Sequence, residues 1–101
     1  MMIFTAKIEQ TYEYPNRMKY IAVSDSFIEK PVESLPHARK FKQPYGWIME
    51  SGTPPCDHLD VMIMTDKTFA LGDTVKVKII GVFCRSDGDH KLVGVCMDRE
   101  V

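Results

Sequence analysis

The clearest pattern in the chain is an alternation of apolar and charged residues over positions 74–83. Val75, Val77 and Ile79 fall on one side of an extended segment, Lys76 and Lys78 on the other. That is the period of two expected of a strand with one face buried. Residues 59–64 form a compact, mostly apolar run, as expected of a strand inside the molecule. Shorter segments predict strands at 2–9, ending at Glu9, at 18–23, at 45–50 and at 91–97. Turn residues punctuate them: Tyr14-Pro15-Asn16, Ser51-Gly52-Thr53-Pro54-Pro55, Leu71-Gly72-Asp73 and Asp87-Gly88-Asp89. The last is a tight hairpin signal. Region 24–44 holds Pro31, Pro36 and Pro44 and is predicted largely loop, with a short strand near Phe27-Ile28. Only residues 34–42 fit a short helix, which Pro36 limits. Roughly five to seven short strands with almost no helical periodicity predict a mainly β chain: an antiparallel sheet rolled into a small closed barrel, one domain over residues 1–101.

Composition narrows the function classes. The formal net charge is −1, so no overall basic field recruits nucleic acid or an anionic membrane. That argues against an oligonucleotide-binding barrel, which needs a basic groove with stacking aromatics. No apolar run approaches the ~20 residues of a membrane-spanning helix, and residues 1–7 lack the pattern of a signal peptide. Cys56, Cys84 and Cys96 are an odd set with no CxxC pair, which points to a reducing cytoplasm and not to a disulfide framework.

The candidate chemistry is acidic. Asp57 and Asp60 lie in Pro55-Cys56-Asp57-His58-Leu59-Asp60, Asp87 and Asp89 lie in the hairpin just before Lys91, and Glu9 ends the first strand. Acids in turns are ordinarily solvated turn formers. A group of carboxylates is also what Mg²⁺ requires, as a hard cation that takes oxygen ligands. Two such ions clamp a phosphoanhydride and acidify a water between them.

The ordered set Tyr45-Gly46-Trp47-Ile48, Asp57-His58-Leu59-Asp60-Val61, Gly72-Asp73-Thr74-Val75, Ile80-Gly81-Val82 and Asp89-His90-Lys91-Leu92-Val93-Gly94-Val95 resembles successive landmarks of the family I soluble inorganic pyrophosphatases. Ile8-Glu9 and Lys19-Tyr20 resemble that family's paired glutamate and lysine, with one inserted residue. The resemblance implies an OB-like five-stranded barrel and Mg²⁺-dependent hydrolysis of pyrophosphate, or a related small diphosphate, by a metal-activated water, with Mn²⁺ as the alternative ion. It implies Asp60, Asp57, Asp87 and Asp89 as metal ligands, Asp57 as proton acceptor, Lys19, Tyr45 and Lys91 as phosphate-binding groups, and Glu9 at the edge of the site. Pyrophosphate is highly anionic, so metals and lysines must outweigh the carboxylates locally before it binds.

Departures from the family pattern qualify this. Pro55 stands where the signature has its first aspartate, which removes a ligand and predicts weaker binding of one metal. His58 stands where the family has proline. An ungapped alignment puts Glu33 at the family's phosphate-gripping arginine; Arg39, Lys40 or Lys42 substitutes only through a loop rearrangement. Phe41 replaces a tyrosine, and the hairpin from Asp87 to Asp89 is three residues shorter than the family's. The sequence ends at Val101, where the family continues into a tyrosine–lysine pair and helices, so the resemblance implies a truncated, partly degenerate form. The alternative reading is a barrel that binds a phosphorylated ligand or a protein partner without catalysis. Family members are oligomers, and exposed sheet edges favour self-association.

Other residues read as packing. His37, His58 and His90 with the cysteines match no zinc template. Cys84 and Cys96 are expected to be buried small hydrophobes and Met62 and Met64 to pack, while Lys76 and Lys78 make a solvated face. Trp47 fits core and cleft equally.

Overall fold

A computed structural model describes residues 3–38, 42–54, 56–84, 86, 88 and 90–97. Strands β1 (Ile3–Gln10), β2 (Asn16–Ile21) and β3 (Ser26–Glu33) come first, then a single helical turn, α1 (Leu35–Ala38). Strands β4 (Tyr45–Ile48), β5 (Asp60–Met64), β6 (Thr74–Phe83) and β7 (Lys91–Cys96) follow, with a 3-10 turn (Met49–Ser51) between β4 and β5. Five strands close into a barrel in the order β1-β4-β5-β7-β6, and β2 and β3 form a separate two-stranded ribbon.

The alternation of β6 folds as its pattern requires. Val75 and Val77 are buried and Ile79 packs against the core they belong to, with Ala6, Ile8, Ile48, Val61 and Ile63. Closure explains why the core is so compact in sequence terms: β1, β4, β5 and β6 each contribute one or two small or β-branched residues to one interior, and Leu92 and Cys96 of β7 pack against it. The barrel is not wholly antiparallel as predicted. β5 pairs parallel with β7, because the β6–β7 hairpin folds back so that its second strand, and not its first, reaches β5.

Region 24–44 is more ordered than its prolines suggest. β3 runs eight residues straight through Pro31. The register shifts between Asn16 and Met18, so that Arg17 alone stands opposite residues 30–32. This bulge accommodates Pro31, which has no N–H to give a ladder. It also sets Arg17 and Lys30 at one kink.

Gln10, one residue past the predicted end of β1, is fully buried. Its Nε2 donates to the carbonyls of Tyr14 and Asn16 at 3.1 Å, and its Oε1 accepts from the Met18 amide at 2.7 Å. One side chain thereby stands in for the backbone partners that the β1–β2 turn lacks, fixing where β2 begins. At the other end of the ribbon the Tyr20 hydroxyl donates to Asp25 Oδ1 at 2.7 Å. Lys7 Nζ on β1 donates to the same oxygen at 3.1 Å, tying ribbon to barrel.

Some packing expectations change. Cys84 is exposed because β6 ends at Phe83, whereas Cys96 is partly buried against the core. Met62 is buried, but Met64, at the end of β5, is 44% exposed. All three cysteines are free. Among the described residues no helix is long and apolar enough to cross a membrane.

Candidate active site

The mouth between barrel and ribbon is a cavity of about 380 Å³ lined by Glu9, Arg17, Lys19, Tyr45, His58 and Asp60, with Tyr20, Pro54 and residues 21–23. That volume lies in the ~300–1,000 Å³ range of small-ligand sites. A second groove, about 300 Å³, shares Arg17 and Lys19 and adds Lys30, Pro31 and Val32. The barrel supplies the acids and the ribbon the bases.

Asp60 opens β5, opposite Trp47 of β4. Its Oδ2 accepts from Lys91 Nζ at 2.7 Å. Lys91 opens β7, is 5% exposed, and its Nζ lies 5.9 Å from the centroid of the Tyr45 ring. Asp60 Oδ1 is buried with no hydrogen-bond partner, although His58 Nε2 approaches it to 3.1 Å. The loop before β5 is held firmly. Ser51 Oγ donates to the Ile48 carbonyl at 2.7 Å and accepts from the Leu59 amide at 2.8 Å. Gly52, at φ 144°, passes so close to Asp57 that a Cβ there would overlap the Asp57 carbonyl oxygen.

Tyr45 is 9% exposed. Burial, and then the charge of Glu9, push its phenol above the ordinary 10.0, so it stays a hydrogen-bond donor at neutral pH. Trp47, 2% exposed, is buried and does not line the cavity. Its ring packs 4.9 Å from that of Tyr20 and meets His58 edge-on at 6.5 Å. Of core and cleft, Trp47 belongs to the core, packed against two residues that line the cavity.

Glu9 is pushed above the ordinary 4.5, first by burial and then by the charge of Asp60, against the pull of Arg17 and His58. An acid whose folded-state pKa exceeds its unfolded value contributes stability at low pH and loses it as pH rises through the folded value. Glu9→Gln is therefore expected to raise the Tm of the metal-free protein at pH 7 by a few degrees, with the gain vanishing below about pH 4. Thermal melts across pH check both limbs.

Of the residues singled out in the sequence, Glu9, Lys19, Tyr45 and Asp60 share the cavity, and Lys91 reaches it through Asp60. Asp57 is exposed, on the loop three residues before Asp60, and is not among the residues lining the cavity. Asp87 and Asp89 lie outside the described residues, as do Pro55 and residues 39–41. Arg17 and Lys30 were missed. Arg17 was legible, since it lies two positions from Lys19 on one strand and so on the same face. Lys30 was not, because its place depends on the bulge. His37 stacks on Tyr12 with ring centroids 4.1 Å apart and approaches Ser34 Oγ at 3.0 Å.

Among the described residues no three His, Cys, Asp or Glu side chains converge closely enough to hold a metal by themselves. The orphaned Asp60 Oδ1 is nevertheless a buried, hard oxygen donor on a residue that lines the cavity, and its chemistry fits a divalent cation.

A family model described as inorganic pyrophosphatase matches residues 6–101. The chain belongs to the inorganic pyrophosphatase family. Solved pyrophosphatases share its fold. That of Neisseria gonorrhoeae has a TM-score of 0.73 and 25% identity, covering 96% of this chain and 57% of its own. That of Thermus thermophilus has a TM-score of 0.72 and 23% identity, over 96% and 56%. That of Helicobacter pylori has a TM-score of 0.70 and 20% identity, over 93% and 56%. The chain thus spans a little over half the length of these pyrophosphatases. Among curated proteins no significant relative is found.

Proposed function

We propose that this chain hydrolyses inorganic pyrophosphate, or a small diphosphate like it, to phosphate. Family membership supports the reading, and one observation carries it: the mouth of the barrel pairs carboxylates (Glu9, Asp60) with cations (Arg17, Lys19, Lys91) around one small cavity. Neither set alone suits a diphosphate. Carboxylates alone repel it, and cations alone bind it without polarising water.

In this reading Asp60 holds divalent cations, with Asp57, Asp87 and Asp89 as the further ligands that the family likeness assigns. When bound, Mg²⁺ or Mn²⁺ neutralises phosphate oxygens and acidifies a water. Lys19, Arg17 and the Tyr45 hydroxyl orient the two phosphate groups. The oxygen of water bonds to one phosphorus while the bridging P–O bond breaks. Asp57, on the exposed loop three residues before Asp60, takes the proton on its carboxylate and passes it to the leaving phosphate. Lys91 serves from behind: its ammonium holds Asp60 in orientation, and Asp60 offsets the cost of burying that ammonium. Glu9 sets the charge at the cavity edge.

Arg17 is the described residue best placed to take over the role of the family's arginine, from the bulge of β2. Arg17→Ala is expected to raise KM for pyrophosphate about tenfold, with a smaller change in kcat, and Arg17→Lys to recover only part of the loss, since a lysine lacks the two-pronged grip. Steady-state kinetics of both variants check this. The free cysteines support a reducing cytoplasm, and the exposed Ile28 and Val32 on the ribbon support self-association.

The test is phosphate release from pyrophosphate by the purified chain with Mg²⁺ or Mn²⁺. No turnover with any divalent ion, together with calorimetric binding of pyrophosphate, would leave a phosphate-binding barrel in place of a hydrolase.

A further inference from the structure

His58 stands two positions before Asp60, and its two ring nitrogens are both engaged. Nδ1 lies 2.7 Å from the Cys56 carbonyl oxygen. A carbonyl only accepts, so Nδ1 carries a hydrogen. In the neutral ring that leaves Nε2 with a bare lone pair, 3.1 Å from Asp60 Oδ1 but out of line for a hydrogen bond to it. Oδ1 is itself buried and has no hydrogen-bond partner. Two lone pairs this close repel, and a positive charge, either a proton on Nε2 or a cation held by both atoms, relieves the conflict.

Resting on the reading of this cavity as a metal site, we infer that His58 Nε2 and Asp60 Oδ1 form a nitrogen–oxygen chelate that gives the site a preference for transition-metal ions, Zn²⁺ above all and Mn²⁺ after it, over Mg²⁺. Donors 3.1 Å apart are the separation that two neighbouring ligands, each about 2.1 Å from one ion, subtend at close to a right angle. The Nδ1–H bond to a backbone carbonyl is the support that orients a metal-binding imidazole and fixes its tautomer. An imidazole suits Zn²⁺ best, and Mn²⁺, although it favours oxygen as Mg²⁺ does, belongs to the transition-metal series that binds mixed nitrogen and oxygen sites. The sequence lost an anionic oxygen donor at Pro55, and His58, three positions on, supplies a neutral nitrogen. The ring also packs edge-on to Trp47 at 6.5 Å, the single tryptophan of the chain, which gives an optical report on the site.

Titration of the purified chain with Zn²⁺, Mn²⁺ and Mg²⁺, followed by calorimetry and Trp47 emission, tests this without reference to turnover. The wild type is expected to bind Zn²⁺ and Mn²⁺ at least about tenfold more tightly than Mg²⁺. His58→Ala and His58→Gln should each lose about tenfold or more of that Zn²⁺ and Mn²⁺ affinity, while Mg²⁺ affinity changes by less than about twofold. Pulsed electron paramagnetic resonance of bound Mn²⁺ should carry nitrogen modulation in the wild type and lose it in both variants. Unchanged transition-metal affinity in folded His58 variants, or no nitrogen coupling, would overturn the chelate and leave a simple imidazolium–carboxylate pair. If Asp60→Asn still abolishes metal binding in that case, the metal-site reading survives. If the wild type binds no divalent ion at all, both fall together.

Discussion

Replacing Asp60 with asparagine is expected to lower phosphate release from pyrophosphate by at least about 100-fold while leaving the chain folded. Asparagine is isosteric, and its amide oxygen still accepts the bond that Lys91 Nζ makes at 2.7 Å. What is lost is charge. Lys91 is buried to 5% exposure, so its ammonium would keep this hydrogen bond but lose the counter-charge of Asp60. Deleting a partner outright from a buried pair costs about 3–5 kcal/mol; retaining the hydrogen bond should hold the stability loss below that. The cost to activity has a different origin. Oδ1, the buried atom without a hydrogen-bond partner, becomes part of a neutral amide and a poor cation ligand. Kinetics beside a circular-dichroism melt separate the two effects. A folded Asp60→Asn variant with wild-type turnover would remove Asp60 from the reaction.

The second large effect is structural. Gly46→Ala is expected to destabilise the fold by about 3 kcal/mol or more, a large share of the ~5–15 kcal/mol that holds a small domain together. A Cβ on Gly46 would overlap the Lys7 carbonyl oxygen and lie 2.7 Å from its carbon and 3.0 Å from Ile8 Cα. All three are backbone atoms, so no rotamer change relieves the clash. Gly46 pairs with Ile8 across β1 and β4, beside the β1 bulge that leads to Gln10. Relief requires those strands to part between Tyr45, which lines the cavity, and Trp47, which packs against its residues Tyr20 and His58. Denaturant midpoints measure the loss, and a near-wild-type midpoint would mean that the pairing there yields cheaply.

Much of this was readable from residue order. The period of two in β6, the apolar run of β5 and the punctuating turns foretold a barrel of short strands, because burial on one face of a strand imposes its period on the sequence. The alignment of Glu9, Lys19, Tyr45, Asp60 and Lys91 with family landmarks named five residues that the fold gathers at one mouth. β3 was the main miss. Pro31 reads as a breaker, and only its pairing partner reveals that it sits in a bulge where no ladder donor is needed. Lys30 was lost with it. Gln10 was passed over as a polar residue at a strand end, yet its burial and its three backbone partners set the start of the ribbon that carries Arg17 and Lys19.

The sequence by itself determined a mainly β barrel with an acidic loop and scattered lysines, because strand period and turn chemistry are local properties written residue by residue. Tertiary structure decided which charges meet. It set Asp60 against Lys91, 31 positions apart, placed His58 Nε2 close to Asp60 Oδ1, and brought Arg17 across from the ribbon to face them. Such encounters depend on strand register, barrel closure and a single bulge. Those follow from the packing of the whole chain and leave no mark on any short segment of it.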